Sequence, residues 1–393
     1  MKLTAEQQKM FDGERGEAAR QSMEILVALG RIYCAEKMIP VSSVQVAGVS
    51  YKTIGEAGLE YLQDMVKGGA NVLVPTFLNP AGMDRAQWKK LGVPEAFAKK
   101  QIAVLDAYKQ MGIGMTCTCT PYLVGIRPKA GEHVAWSESS AVVFCNSVLG
   151  ARTNREGGPS ALAAAICGVT PEYGLHLDGN RIANFSVKVE AKVKSSADFG
   201  ALGAFSGEAS KGRNTVFAGL DKAAATEDRL KGLGAAMAAW GSNALFYAKG
   251  ITPECNVPEK PEEVVFGAAE MKAMKEKLGI GIKPELVTIG CPHASLGEIR
   301  EVAAFVKGKK LACQLWVCTA RKTSEDAEKA GYTAAIESAG GHVVADTCMV
   351  VCPIEEMGFG KTAANSGKAA KYLPSMCRQK VSYGDLEEII CFQ

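Results

Sequence analysis

Apolar positions along the chain switch repeatedly between two spacings. Over residues 5–36 they recur at helical intervals, through Met23, Ile25, Leu26, Leu29 and Ile32, which predicts a helix with one buried stripe. A short strand follows at 43–49, then a helix at 59–67 closed by Gly68-Gly69. Residues 70–76 predict a strand that opens into a polar, turn-rich loop at 77–84, and 95–110 predict another helix. An Ala-rich helix starts near 161, a strand covers 185–193, and Gly- and Ala-rich helices surround 233–240. Residues 253–263 carry Pro253, Pro258 and Pro261 among acidic side chains and read as a linker. Beyond it, strands at 285–290, 311–319 and 341–351 alternate with helices at 295–307 and 324–338. Such alternation signals βαβ units and largely parallel sheets. A chain of 393 residues outgrows a single core, and we expect three α/β domains, at 1–120, 121–256 and 257–393.

Composition narrows the function classes. Hydrophobic residues make up 47% and the net charge is only +3, with Lys and Arg scattered rather than gathered into a stripe. That balance predicts no nucleic-acid partner. No apolar run approaches the length of about 18 residues that a membrane span needs. The first residues are polar and read as a helix start rather than a secretory signal, so the expected location is the cytoplasm. Thirteen cysteines form an odd set in a chain without such a signal, which argues against a disulfide framework. Cys34, Cys145, Cys167, Cys313 and Cys318 sit in apolar runs and read as small core residues.

The remaining cysteines repay closer reading. Cys117 and Cys119 lie in a Gly- and Thr-rich stretch, 112–122, that ends in Pro121-Tyr122. Cys291 follows the strand at 285–290 and precedes Pro292-His293; Cys348 follows the strand that begins at 341. Each thiol stands where a strand breaks into a loop, and open α/β sheets place their ligands there. An extended backbone would put Cys117 and Cys119 on one face. We therefore expect these loops to converge and hold an iron–sulfur cluster, since thiolates are its usual ligands. Cys352 is the alternative to Cys348, disfavoured because 349–351 return to apolar packing. Three thiolates on a cubic cluster would leave one iron open as a Lewis acid toward a departing hydroxyl, which is dehydratase chemistry.

Other polar residues join this picture. His293, two residues from Cys291, either orients a reacting group or supports the ligands from behind. Glu138 enters an apolar run, where a carboxylate is either a helix cap or a functional acid or base. Arg152 and Arg155 precede Gly157-Gly158 at a predicted helix start, an arrangement suited to an anion. Residues 365–372 resemble a phosphate loop superficially, but lack GxxxxGK[ST] and any evident strand–loop–helix setting, so Lys368 is kept as a candidate for a substrate anion rather than for a nucleotide.

Together the stretches CTCTPYL, GEHVAWSESSAVVFCNSVLGARTNREGGPSALAAAI, TIGCPHAS, DTCMVV and NSGKAAKYLPS resemble the aconitase X family over essentially the whole length. The resemblance implies an aconitase-like α/β fold, three domains with mainly parallel sheets around a central cluster site, with the swivel domain absent. It also implies a 4Fe–4S cluster and a small partner subunit equivalent to the swivel domain, which would supply the catalytic serine. Two activities occur in the family: dehydration of cis-3-hydroxy-L-proline, and dehydration of mevalonate 5-phosphate to trans-anhydromevalonate 5-phosphate in isoprenoid synthesis. The segment RTNREGGPSALAAAI is similar to the second type. On that footing Cys119 (or Cys117), Cys291 and Cys348 are the expected metal ligands, and His293, Glu138 and Ser139 the expected catalytic residues. Thr76, Asn79, Asn146, Ser147, Arg152, Arg155 and Lys368 are the expected substrate contacts. A non-catalytic iron-sensing protein on the same fold is the further alternative.

Overall fold

The structure is a computed structural model and describes residues 1–258 and 260–393. Three all-parallel sheets organise it. In the first, Val44–Val46 lies between Thr76–Leu78 and Ala135–Trp136. The second runs Phe246–Ala248, Thr215–Ala218, Phe185–Val189, Glu262–Phe266. The third has five strands in the order His342–Ala345, Gln314–Thr319, Leu286–Ile289, Lys361–Ala364, Lys380–Tyr383. A small antiparallel pair, Met38–Pro40 with Val169–Pro171, completes the strands. The parallel α/β architecture expected from the sequence is present. Among the described residues no helix is long and apolar enough to cross a membrane.

Several elements differ from expectation for identifiable reasons. The helix over 5–36 is two, Ala5–Phe11 and Glu17–Ile32, separated by Gly13 and Gly16 at positive φ. That over 324–338 is likewise two, Arg321–Lys329 and Tyr332–Ala339, with Gly331 at φ +79° between them. The strand begun at 341 stops at Ala345 because Asp346 turns to φ +65°. Strand pairing crosses both expected domain boundaries: Ala135–Trp136 joins the first sheet and Glu262–Phe266 the second. The linker expected at 253–263 therefore runs into a strand, and Glu259 within it lies outside the described residues.

Because all strands of a sheet run one way, their carboxyl ends share an edge. From the first sheet, Leu78 leads into Asn79 and Trp136 into Glu138; from the third, Ile289 leads into Cys291, Ala345 into Cys348 and Ala364 into Lys368. Two tight approaches fix these edges. Gly290, at φ +97°, has no room for a side chain, since a Cβ there would stand 2.0 Å from the Cys318 carbonyl oxygen. A Cβ on Gly158, at the start of the Gly158–Cys167 helix, would meet the Ala47 carbonyl oxygen at 2.8 Å.

Candidate active site: a thiol-lined cavity between the first and third sheets

The three cysteine loops meet. A cavity of about 310 Å³ is lined by Cys119, Cys291 and Cys348 together with Asn79, Glu138, Ser139, Arg155 and Lys368. All three thiols are buried and none is paired in a disulfide. Burial pushes Cys119 up to about 12, Cys291 well above the ordinary thiol value, and Cys348 up as well. The Lys368 ammonium pulls all three the other way. Backbone N–H groups also favour the thiolate, that of His293 donating to Cys119 Sγ at 3.2 Å and those of Val350 and Val351 to Cys348. The pocket thus offers thiolates both a cation and hydrogen-bond donors.

Cys117 does not join them. Its φ is +43°, which breaks the strand-like alternation, so the two cysteines of this stretch do not share a face. Cys117 packs in the core around the first sheet, with Asp346, Arg85 and Arg321 as its charged neighbours. Cys352 is buried but lines no part of the cavity, and its Sγ approaches Met357 Sδ at 3.8 Å.

Glu138, Lys368 and Asn79 form the polar heart of the cavity. The carboxylate caps the Ser139–Ser147 helix, accepting from the Ser140 N–H, and also faces the cavity, so both sequence readings hold for one residue. Its Oε1 accepts from Lys368 Nζ, its Oε2 from Asn79 Nδ2 at 2.7 Å, and the Ser139 and Ser140 hydroxyls each stand 3.2 Å from Oε1. Burial by itself would raise this carboxyl, but the ammonium, Asn79 and the Ser140 N–H outweigh it and hold it at about 2. Lys368 is buried too; burial opposes its charge, while Glu138 and the thiols of Cys291 and Cys119 hold its pKa above the usual lysine value. The pair is therefore carboxylate and ammonium at neutral pH. Asn79 Oδ1 is buried in the cavity wall with no partner among the described residues.

His293, expected among the catalytic residues, stands behind the cavity wall. The ring is fully buried and does not line the cavity. Its Nε2 lies 3.0 Å from the Thr347 carbonyl oxygen and its Nδ1 2.9 Å from Thr118 Oγ1. A carbonyl only accepts, so Nε2 carries the proton and Nδ1 accepts from the threonine hydroxyl. Burial holds the imidazole down to about 4, which leaves it neutral.

The arginine pair also separates. Arg152 turns away, donating to the His176 carbonyl and pairing with Asp178, whereas Arg155 stays exposed at the cavity wall with no ion-pair partner among the described residues. The expected helix start is real, but the buried Glu156 carboxylate beside it already accepts from the Ser160 hydroxyl. Thr76, Asn146 and Ser147 serve the backbone instead: Thr76 donates to Val74 O, Ser147 accepts from Phe246 N–H, and Asn146 bonds Thr153 and Ala244. Lys368 does stand in a strand–loop–helix unit, Lys361–Ala364 leading to Gly367–Cys377, contrary to expectation.

The sequence reading missed the apolar side of the cavity, formed by Val350, Val351, Tyr372 and Met376, and missed a charge cluster behind Cys348. There Arg321 bridges the fully buried Asp84 and Asp346, and Arg85 also pairs with Asp346. Asp84 Oδ2 in turn accepts from the Ala345 N–H. Nothing in the local pattern around Asp84 marks it as a partner for residues some 240–260 positions away.

Family models match the chain in three consecutive pieces: Aconitase X first domain at 1–179, second domain at 183–276 and third domain at 284–392. The chain belongs to the aconitase X family. The phosphomevalonate dehydratase large subunit of Methanocaldococcus jannaschii is 51% identical, over 99% of each chain. A solved structure of Thermococcus kodakaraensis aconitase X, described as the holo-form, superposes with a TM-score of 0.92 at 46% identity, covering 98% of both chains. The cis-3-hydroxy-L-proline dehydratase of Pseudomonas aeruginosa is 32% identical over 98% of this chain and 68% of its own. All three aconitase X domains thus have a counterpart here, and each lining thiol lies in the first or the third.

Proposed function

We propose that this chain is the large subunit of a hydro-lyase that dehydrates (R)-5-phosphomevalonate to trans-anhydromevalonate 5-phosphate. Cys119, Cys291 and Cys348 would hold an iron–sulfur cluster of the 4Fe–4S type. The observation that carries this reading is the meeting of three thiols, successively 172 and 57 residues apart along the chain, around one cavity that also holds a buried Lys–Glu pair. Among the described residues no three His, Cys, Asp or Glu side chains close on a point as a single metal ion requires. Thiols spaced around a cavity, with a cation and N–H donors behind them, suit a polynuclear cluster. When bound, it supplies Lewis acidity toward the leaving hydroxyl.

The chain's own residues account for binding. Arg155, free of any carboxylate among the described residues, meets the phosphate or carboxylate at the mouth. Asn79 Oδ1 accepts a hydrogen bond from a substrate hydroxyl, and its Nδ2 is kept from rotating by Glu138. Ala47, Pro80, Val350, Val351 and Met376 receive the methyl-bearing carbon skeleton. Glu138 is held ionised by Lys368 and so is a poor proton acceptor. The proton-abstracting group, a serine, would come from a small partner subunit, a division of labour in keeping with the relatives named large subunits. The charge inventory favours an anionic substrate: among the described residues the one lining carboxylate, Glu138, is committed to Lys368 and is not free to meet an imino acid's ammonium.

The test is turnover by the anaerobically reconstituted pair of subunits, offered mevalonate 5-phosphate and, separately, cis-3-hydroxy-L-proline. Loss of water from the phosphorylated compound alone is expected. Turnover of the imino acid alone would overturn the assignment, and iron uptake with neither reaction would favour the iron-sensing alternative.

A further inference from the structure

We propose that His293 is a positioning residue that sets the mutual spacing of the three cavity thiols, one tie serving all three loops. The inference rests on the reading that Cys119, Cys291 and Cys348 hold the cluster.

The hydrogen-bond pattern makes the case. His293 belongs to the loop of Cys291. Its Nδ1 accepts from Thr118, adjacent to Cys119, and its backbone N–H donates to Cys119 Sγ. Its Nε2 donates to the carbonyl of Thr347, adjacent to Cys348. Among the described residues, every hydrogen bond that joins any two of the loops 112–122, 290–295 and 346–353 is made by His293. The tie is itself anchored. Its carbonyl accepts from Lys231 Nζ at 3.2 Å, and that buried ammonium pairs with Asp228 and Glu298. Thr118 is oriented by the N–H of Thr120 donating to its oxygen, so its own proton is free to point at the imidazole. With both ring nitrogens committed and the ring off the cavity wall, His293 has no free group to offer a substrate.

A cluster needs its ligands at fixed separations, and groups supporting ligands from behind typically change metal affinity by about 10- to 100-fold when removed. Two conservative variants divide the tie. His293→Asn places an amide oxygen near Nδ1, keeping the link to Thr118 and losing Thr347; His293→Gln places an amide nitrogen near Nε2, keeping Thr347 and losing Thr118. Thr118→Val removes one link without touching the histidine.

The experiment uses full-length chain, reconstituted with iron and sulfide under anaerobic conditions, and reads iron per chain and the rate of iron loss to a chelator. A second readout is alkylation of the apo chain by iodoacetamide, located by mass spectrometry. The wild type is expected to hold iron, and each variant to lose it at least about tenfold faster. In the apo chain His293→Asn should expose Cys348 preferentially, and His293→Gln and Thr118→Val should expose Cys119. Wild-type chain that takes up no iron would defeat the cluster reading itself. Wild-type chain that holds iron, with variants equally resistant to the chelator and unchanged in labelling, would defeat the role of His293 alone. Activity lost without either change would return the histidine to catalysis.

Discussion

Replacing Lys368 by methionine keeps the length of the side chain and removes its charge, leaving Glu138 without its cation. The consequence follows from the titration of the carboxyl. Held at about 2 against an ordinary 4.5, Glu138 contributes about 3 kcal/mol to folding at neutral pH. Breaking a buried ion pair by removing one partner generally costs about 3–5 kcal/mol, which agrees. The sign fixes the pH window: a folded value below the unfolded one gives stability that is present above pH 4.5 and lost as pH falls toward 2. For a chain of this length, about 3 kcal/mol corresponds to a melting shift of about 4 °C. The assay is a double-mutant cycle with Lys368→Met, Glu138→Gln and the combination, followed by calorimetry of the apo chain at pH 7 and near pH 3. We expect a coupling of about 3 kcal/mol at pH 7 that shrinks at the lower pH. Additivity at pH 7 to within about 0.5 kcal/mol would refute the pairing and with it the assignment of Glu138 as a permanent carboxylate.

Three further outcomes are expected. Cys119→Ser should abolish iron binding in reconstituted protein, while Cys117→Ser, whose sulfur lies in the core around the first sheet, should keep its iron and lose only a little thermal stability. Arg155→Ala should raise the KM for the phosphorylated substrate by about 10- to 100-fold, the worth of a hydrogen bond to a charged group. Arg152→Ala, which breaks a pair with Asp178 and a contact to the His176 carbonyl, should leave KM within about twofold and act through stability. Asp346→Asn strips the buried partner of Arg85 and Arg321; it should cost about 3–5 kcal/mol and speed iron loss through the adjoining Cys348 loop, measured by melting and by chelation.

The sequence conveyed where thiols stand along the chain better than which way they face. Cys291 and Cys348 were legible because an apolar strand followed by Gly-Cys-Pro or Asp-Thr-Cys can only break into a loop, and parallel strands bring such loops to one edge. The 95–110 helix was legible from its periodicity and is found at Glu95–Gln110. Cys117 was not, because a left-handed φ in a non-glycine residue leaves no mark in a Met-Thr-Cys-Thr pattern. Thr76, Asn146, Ser147 and Arg152 look like ligand-binding residues by type, yet their polar groups are consumed by carbonyls, N–H groups and Asp178. Burial in a fold of this size demands such internal partners, and residue type alone does not distinguish the two uses. The strand Lys361–Ala364 went unread because Lys-Thr-Ala-Ala carries no alternation, and Lys380–Tyr383, though Lys-Val-Ser-Tyr alternates, is only four residues long, too short for its period to stand out.

Many of the connections that close the cavity are polar and long-range, and that has a physical consequence. Asn79 and Glu138 come from the first sheet; Cys291, Cys348 and Lys368 come from the third. One apolar cluster, with Met83, Phe97 and Ala98 from one side and Leu286, Trp316 and Val344 from the other, joins the two sides, and so do directional links that include the Glu138–Lys368 pair, the Thr118–His293 bond, the Ala81 N–H donating to Asp346 O, the Lys52–Glu355 pair and the bonds of Arg85 and Arg321 to Asp346. Apolar burial is non-directional and would let the two sheets slide against each other with little penalty. Charged and hydrogen-bonded groups, by contrast, fix distance and angle, and a buried one left unmatched is costly. A site whose chemistry needs three sulfurs in register therefore gains more from these few directional links than from further hydrophobic area. Acid weakens the Glu138–Lys368 link in two stages: below pH 4.5 the stability that the pair contributes declines, and near pH 2 the folded carboxyl itself takes up a proton and its hold on Lys368 goes.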